Sequence, residues 1–220
     1  MEELEKKKQN HKRSKQMDML HGSLWDKLLI VALPLAASSI LQQLFNAADI
    51  AVVGRFATSD ALAAVGGNSA VINLLINLFV GLSVGANVVL SNYIGQGKQE
   101  KLSDVVHTVM TLALTCGGIM LVIGIICSRW ILELIQTPDH ILDMAVLYLR
   151  IYMLGMPFVM VYNFGAAILR SIGDTRRPLY CLIISGIVNV ILNLVLVIGF
   201  HLDVAGVAIA TVVSNIVSSG

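Results

Sequence analysis

The stretch Gln42-Gln43-Leu44-Phe45-Asn46-Ala47-Ala48-Asp49 places a carboxylate inside an apolar run of membrane-crossing length that reaches from Lys27 to about Arg55. An Asp near the centre of a bilayer costs about 2.5–3.5 kcal/mol on insertion scales, so such residues face a protein interior or a wet cavity and serve ions, protons or substrates. Gln42, Asn46 and Asp49 stand at i, i+4 and i+7, one face of a helix. That face is polar and the opposite one is oil. The remaining acidic residues fall in the N-terminal tail, in loops or near the ends of apolar runs, so Asp49 alone lies deep.

The composition agrees. Hydrophobic residues make up 56% and charged ones only 13% of the 220 residues, whereas soluble domains carry about 25% charged residues. With a mean hydropathy of +0.80, the chain reads as an all-α integral membrane protein. The net charge of +1 says nothing about partners. Cys116, Cys127 and Cys181 sit in apolar runs without metal or disulfide spacing and read as small packing residues. Nucleophile elbow, phosphate loop, zinc spacing and nucleic-acid patch are all missing from the sequence, which leaves no footing for enzyme chemistry, a bound cofactor or a nucleic-acid partner.

Residues 1–23 form a solvated basic tail with Lys6, Lys7, Lys8, Lys12, Arg13 and Lys15, and carry no signal-peptide pattern. Trp25 stands where interfacial aromatics stand, and Pro34 marks a kink position in the first span, because proline removes a helical hydrogen bond. A second run covers about Ala61–Ile94, with Ser69, Asn73, Asn77 and Gly81 along one face and a small-residue pair, Gly81 and Gly85, suited to helix packing. The polar turn Gly95–Lys101 leads to a third span over about Val105–Cys127, with His107 near its start, an interfacial residue in preference to a proton relay, a role that histidine's ordinary pKa of about 6.5 leaves open. Residues 131–145 read as an amphipathic connector at the membrane surface. A fourth span over about Val146–Leu169 is broken by Gly155 and Pro157, the second kink position. The basic loop Arg170–Arg177 precedes a fifth span over about Leu179–Phe200, and a sixth begins near Val204. The expected division is a tail, 1–23, and a six-helix transmembrane lobe, 24–220.

Orientation follows from the basic residues. The tail with Lys27, the second-to-third turn (Lys98, Lys101) and the fourth-to-fifth loop (Arg170, Arg176, Arg177) hold most of them; the alternate side holds Arg55 and Arg129, with Arg150 near the start of the fourth span. The positive-inside rule therefore places the N-terminus in the cytoplasm of a multi-pass protein of the cytoplasmic or inner membrane.

Beside Asp49 the strongest polar feature is Asn189 with Asn193, at i and i+4 in the fifth span, with Ser185 one turn earlier and Thr211 on the sixth helix. Carboxylate, amide and hydroxyl oxygens suit a hard cation such as Na⁺; a partly desolvated carboxylate also suits proton exchange. The same amides could instead bond helix to helix, at about 0.6–2 kcal/mol each.

Several ordered blocks resemble the multidrug and toxic compound extrusion (MATE) transporters: Leu33-Pro34 followed by Ala48-Asp49-Ile50-Ala51-Val52-Val53-Gly54-Arg55; Gly81 to Gly85 with Ile94-Gly95-Gln96-Gly97; Leu169 to Arg176; Asn189 to Asn193; and Ala205 to Thr211. The resemblance covers about residues 20–220. It implies one lobe of a two-lobe, twelve-helix antiporter fold, exporting cationic lipophilic compounds against Na⁺ or H⁺. Asp49, Asn189 and Thr211 match the family's cation-site positions and are the candidate Na⁺ ligands. Asn193 matches a position that is Asp in some members. Gln42, Asn46, Asn73 and Asn77 then line the cavity, and Tyr148 and Asn163 fall near cavity-lining positions of the family. The resemblance implies membrane lipid, small cationic substrates and either a missing C-terminal lobe or a second copy as partners. With only the first lobe and an unfinished sixth span, the chain is expected to be a truncated form. The alternatives are a lipid-linked saccharide flippase of a related branch, whose cavity should be cationic, and a non-transporting remnant lobe.

The charge asymmetry predicts that Lys98→Cys and Asp203→Cys, each in a cysteine-free background, label from opposite sides of intact cells with an impermeant thiol reagent. Labelling from the same side contradicts the alternating topology.

Overall fold

The computed structural model describes residues 24–96 and 101–220. The expected tail, residues 97–100 with Lys98, and the side chains of Trp25 and Lys27 lie outside the described residues. The chain is a succession of helices: α1 (Leu24–Phe56), α2 (Ser59–Gly95), α3 (Leu102–Leu134), α4 (Asp139–Leu154), α5 (Met156–Ser171), α6 (Arg176–Asn193), a π-helical segment (Leu194–Gly199) that continues α6, and α7 (Asp203–Ser219). With α4 and α5 taken as one broken rod, the described residues make the six-helix bundle of a single lobe. Three helices, α2, α3 and α6 with its π segment, are long and apolar enough to cross a membrane, and the α4–α5 pair makes a fourth. The protein is multi-pass.

Local chemistry sets the boundaries. Thr58, in an extended conformation, accepts from the Ala61 N–H at 3.2 Å and caps α2, whose first turn carries Asp60 against the positive helix end. Asp174 accepts from the N–H groups of Arg176 and Arg177, both at 3.2 Å, and so starts α6. The expected surface connector over 131–145 is not a separate element. Residues 131–134 complete α3 and 139–145 open α4, because Gln136 adopts φ 58° and turns the chain, with Thr137 N–H bonding the Leu132 carbonyl at 3.0 Å. Its amphipathic pattern is real: Ile141, Leu142 and Ala145 are buried while Asp139, His140 and Asp143 are exposed. Arg129, exposed, pairs with Glu133 at 3.0 Å and Asp143 at 3.3 Å across this turn; ion pairs as exposed as these contribute little.

The α4–α5 rod sits centrally, packed by α2, α3 and α7, while α6 is held between α7 and α1. It bends by 46°, and the cause is Pro157, which has no N–H to give the Met153 carbonyl. Helix α3 meets the bend at Gly117, where a side-chain carbon would collide with the Pro157 backbone. The face of α2 that turns inward is Ala61, Ala64, Val65, Asn68 and Ile72, not the Ser69, Asn73, Asn77, Gly81 face. Gly81 and Gly85 are exposed with no neighbour within 4 Å among the described residues, so the small-residue pair packs no helix of this lobe. Large apolar side chains such as Leu74, Leu78, Val88 and Ile126 are more than 60% exposed, as expected where the surroundings are oil and not water.

Gly117→Ala forces that collision and is expected to destabilise the bundle by about 1–3 kcal/mol. Gly118→Ala, whose added methyl meets nothing within 4 Å, is expected to be neutral or slightly stabilising; thermal unfolding of both variants in detergent checks the contrast.

Candidate functional site

Helices α1 and α6 lie side by side because Gly186 has no side chain and the Phe45 ring fills its place. One turn beyond Phe45, α1 presents Asp49; one and two turns beyond Gly186, α6 presents Asn189 and Asn193. The contacts advance in the same direction along both helices, which therefore run parallel. The Asn193 side-chain amide is fully buried and donates to Asp49 Oδ1 and to Asn189 Oδ1 at 3.2 Å. The Asn189 amide in turn donates to Thr211 Oγ1 on α7 at 3.5 Å, and that hydroxyl donates to the Val207 carbonyl at 2.9 Å. Asp49, Asn189, Asn193 and Thr211, from three helices, form one chain of hydrogen bonds inside the bundle.

Both N–H groups of Asn193 point at oxygens, and its own Oδ1 is buried without a partner. A single nitrogen thus sits between a carboxylate oxygen and an amide oxygen. Turning the Asn193 amide over would bring its orphaned oxygen against those of Asp49 and Asn189, an all-oxygen set that is repulsive unless a proton or a cation lies among them. Among the described residues no group of three or more His, Cys, Asp or Glu converges on a metal position; the donor set here is one carboxylate with neutral oxygens, which suits a monovalent ion better than a transition metal.

The other sequence-selected residues scatter. Tyr148, buried on α4, is tilted against Tyr152, with ring centroids 6.1 Å apart. Asn163 bonds its own helix, Nδ2 to the Val159 carbonyl at 2.9 Å, and makes no bond to the cluster. Gln42, Asn46, Asn73 and Asn77 are exposed on the lobe's surface and make no hydrogen bond to the chain. Pro34 lies within α1, its carbonyl accepting from Ser38 Oγ at 2.8 Å.

Three polar residues escaped the sequence reading. Asn68, fully buried, bridges α2 to α4 by donating to the Ala145 carbonyl at 3.0 Å. Asn87 ties α2 to α5 through the Ala167 carbonyl at 3.0 Å. Asn215, on α7, holds a buried Nδ2 without a partner. A signal existed for Asn68, which continues the apolar spacing Ala61, Ala64, Val65 at i+7, so an inward face was legible there.

Comparison with known proteins adds an independent line. Residues 34–195 match the MatE family. The chain is similar to the Probable multidrug resistance protein YoeA of Bacillus subtilis, 33% identical over 198 residues that make up 88% of this chain and 43% of that protein. It is also similar to the Multidrug export protein MepA of Staphylococcus saprophyticus, at 24% identity over 90% of this chain and 44% of that one. Among solved structures, a multidrug resistance MATE family transporter of the MOP superfamily, in its outward-facing conformation, superposes with a TM-score of 0.86 at 25% identity, covering 93% of this chain and 45% of the other. The chain spans less than half the length of each of these relatives.

Because Asn193 serves the carboxylate directly, Asn193→Ala is expected to cost about 1.5–3 kcal/mol, the range for a hydrogen bond to a charged group. Thr211→Val gives up only the long 3.5 Å contact and a bond to its own helix, and should cost under about 1.5 kcal/mol. Unfolding of the two variants side by side in detergent measures the difference, and an equal loss would contradict the assigned hierarchy.

Proposed function

The chain belongs to the MatE family, and we propose that the protein carrying it is a secondary active exporter in which this lobe binds the coupling ion, Na⁺ or H⁺, that drives cationic lipophilic compounds outward across the cytoplasmic membrane. The observation that carries the reading is the Asp49–Asn193–Asn189–Thr211 chain, a carboxylate held inside the bundle by amides and a hydroxyl. Its relatives, named for multidrug resistance and export, support the same direction of transport. A substrate rich in phosphate would need cationic side chains at the cluster, and the described residues there include no basic one.

Asn193 gives the coupling a concrete form. With Asp49 ionised and no ion bound, the Asn193 amide donates to the carboxylate and offsets part of the cost of a buried charge. When H⁺ neutralises the carboxylate, or Na⁺ settles among Asp49, Asn189 and Thr211, that donor is no longer required, and the amide turns its orphaned oxygen toward the proton or the ion. Substrate carrying positive charge competes for the same negative field, so ion and substrate occupy the lobe in alternation, as antiport demands. The N-terminus lies in the cytoplasm in this reading. Helices of a second lobe, carried by the same protein or supplied by a second copy, complete the cavity, since transporter sites lie between repeats. In the same reading the chain is a partial-length form, and transport belongs to the complete two-lobe assembly.

Asp49→Asn keeps shape and removes the charge. In vesicles containing the complete transporter, it is expected to abolish export of a fluorescent cationic dye under both imposed Na⁺ and imposed H⁺ gradients, while insertion and expression stay normal. Full transport by Asp49→Asn under both gradients overturns the role of the residue.

A further inference from the structure

Two exposed arginines stand near the α3–α4 turn, and they are matched differently. Arg129 pairs with Glu133 and Asp143. Arg150, on α4, has no carboxylate within ion-pair distance among the described residues; its Nε donates to the Ser128 hydroxyl on α3 at 3.1 Å. Ser128 is fully buried, and its own proton goes to the Ile125 carbonyl at 3.3 Å. One turn deeper the two helices are in close contact, because Met153 occupies the volume that a side chain at Gly124 would need. The guanidinium is thus held by its Nε edge, and its two Nη groups, which bond nothing among the described residues, remain as a planar fork of donors at the surface.

That surface has the character of a lipid-facing one. Helix α3 packs on α2, α4 and α5 and makes no contact with α1, α6 or α7, so it lies across the bundle from the exposed Gln42 and Asn46 of α1. Its exposed hydroxyls, Thr108, Thr111 and Thr115, each donate to a carbonyl of their own helix at 2.8 Å, as hydrocarbon surroundings demand. The exposed neighbours of Arg150 on its own face of α4 are Leu147 and Leu154, at i−3 and i+4, and Ile125 is exposed one turn before Ser128. Trp130, exposed two residues past Ser128, sets this level at the membrane–water boundary.

We propose that Arg150, oriented by Ser128, binds the phosphate of a phospholipid in the leaflet that meets the α3–α4 turn, with the acyl chains lying over Leu154 and Ile125. The fork matches two phosphate oxygens, which the point charge of a lysine does not. Phosphatidylglycerol, which has no cation of its own, is held more tightly than phosphatidylcholine, whose ammonium competes for the same phosphate. The inference rests on the chain being embedded in a membrane and is independent of the ion and substrate assigned above.

The test uses the complete protein in nanodiscs of phosphatidylglycerol or of phosphatidylcholine with the same acyl chains. The wild-type Tm is expected to be higher in phosphatidylglycerol, and Arg150→Gln should remove about 3–6 °C of that difference. A benzophenone side chain placed at position 147 should cross-link phosphatidylglycerol, identified by the mass of the adduct, and Arg150→Gln should lower the yield about five- to tenfold. Arg150→Lys and Ser128→Ala should each lower it by less. A Tm difference and a cross-link yield that survive Arg150→Gln overturn the site, and where that variant does not fold, an unchanged yield in Arg150→Lys does so. Stabilisation of the wild-type protein by inorganic phosphate, with no lipid adduct at position 147, identifies a water-facing anion site and also overturns it. An equal loss of adduct in Asp143→Asn makes a carboxylate the partner of Arg150, with the same consequence.

Discussion

The rest of the lobe is arranged around one amide. A carboxylate in the interior of an apolar bundle is tolerated only when something donates to it, and the Asn193 nitrogen does so from a neighbouring helix while also holding Asn189. The bond requires α1 and α6 to lie close, which Gly186 permits by leaving its side-chain volume to Phe45. It also fixes the rotation of α6, since Asn189 and Asn193 both have to face inward, and it draws α7 to α6 through Thr211. An apolar residue at 193 would pack as well as the amide does, but it would leave the Asp49 charge without its donor, a more expensive defect than a cavity.

Packing among these helices cannot rely on the exclusion of water, because lipid is as apolar as the side chains it meets. The bundle uses close approach and buried amides in its place. Gly117 lets α3 touch the backbone at Pro157, and Asn68 and Asn87 clamp α2 to the two halves of the broken rod. Each amide bonds a carbonyl of another helix, so the polar residues act as positional pins and not as a continuous polar core. The broken rod is the place where these pins and glycines concentrate. A helix interrupted by Gly155 and Pro157 needs neighbours to satisfy what the interruption exposes, and α3 and α7 supply them unevenly, with the Asn215 donor left over.

The sequence alone determined that the chain is helical and membrane-embedded, where most spans run, that the fourth is broken at Gly155 and Pro157, and that Asp49, Asn189, Asn193 and Thr211 are its unusual polar residues. These are local properties: hydropathy over about 20 residues, i, i+4 spacing and the chemistry of proline are written in neighbouring positions. Which polar face turns inward is set by packing between helices. Along α2 the more conspicuous stripe of Ser69, Asn73, Asn77 and Gly81 lies apart from the inward face, while the single Asn68 is buried, because in a membrane protein both faces of a helix are apolar enough for hydropathy to lose its sense of direction. The junction over 131–145 was likewise settled by one residue, Gln136 at φ 58°, whose backbone no spacing rule announces. The meeting of Asp49 with Asn193, 144 positions apart in sequence, depends on the relative placement of α1 and α6, and that follows from the volume of one glycine and one ring that no local pattern connects.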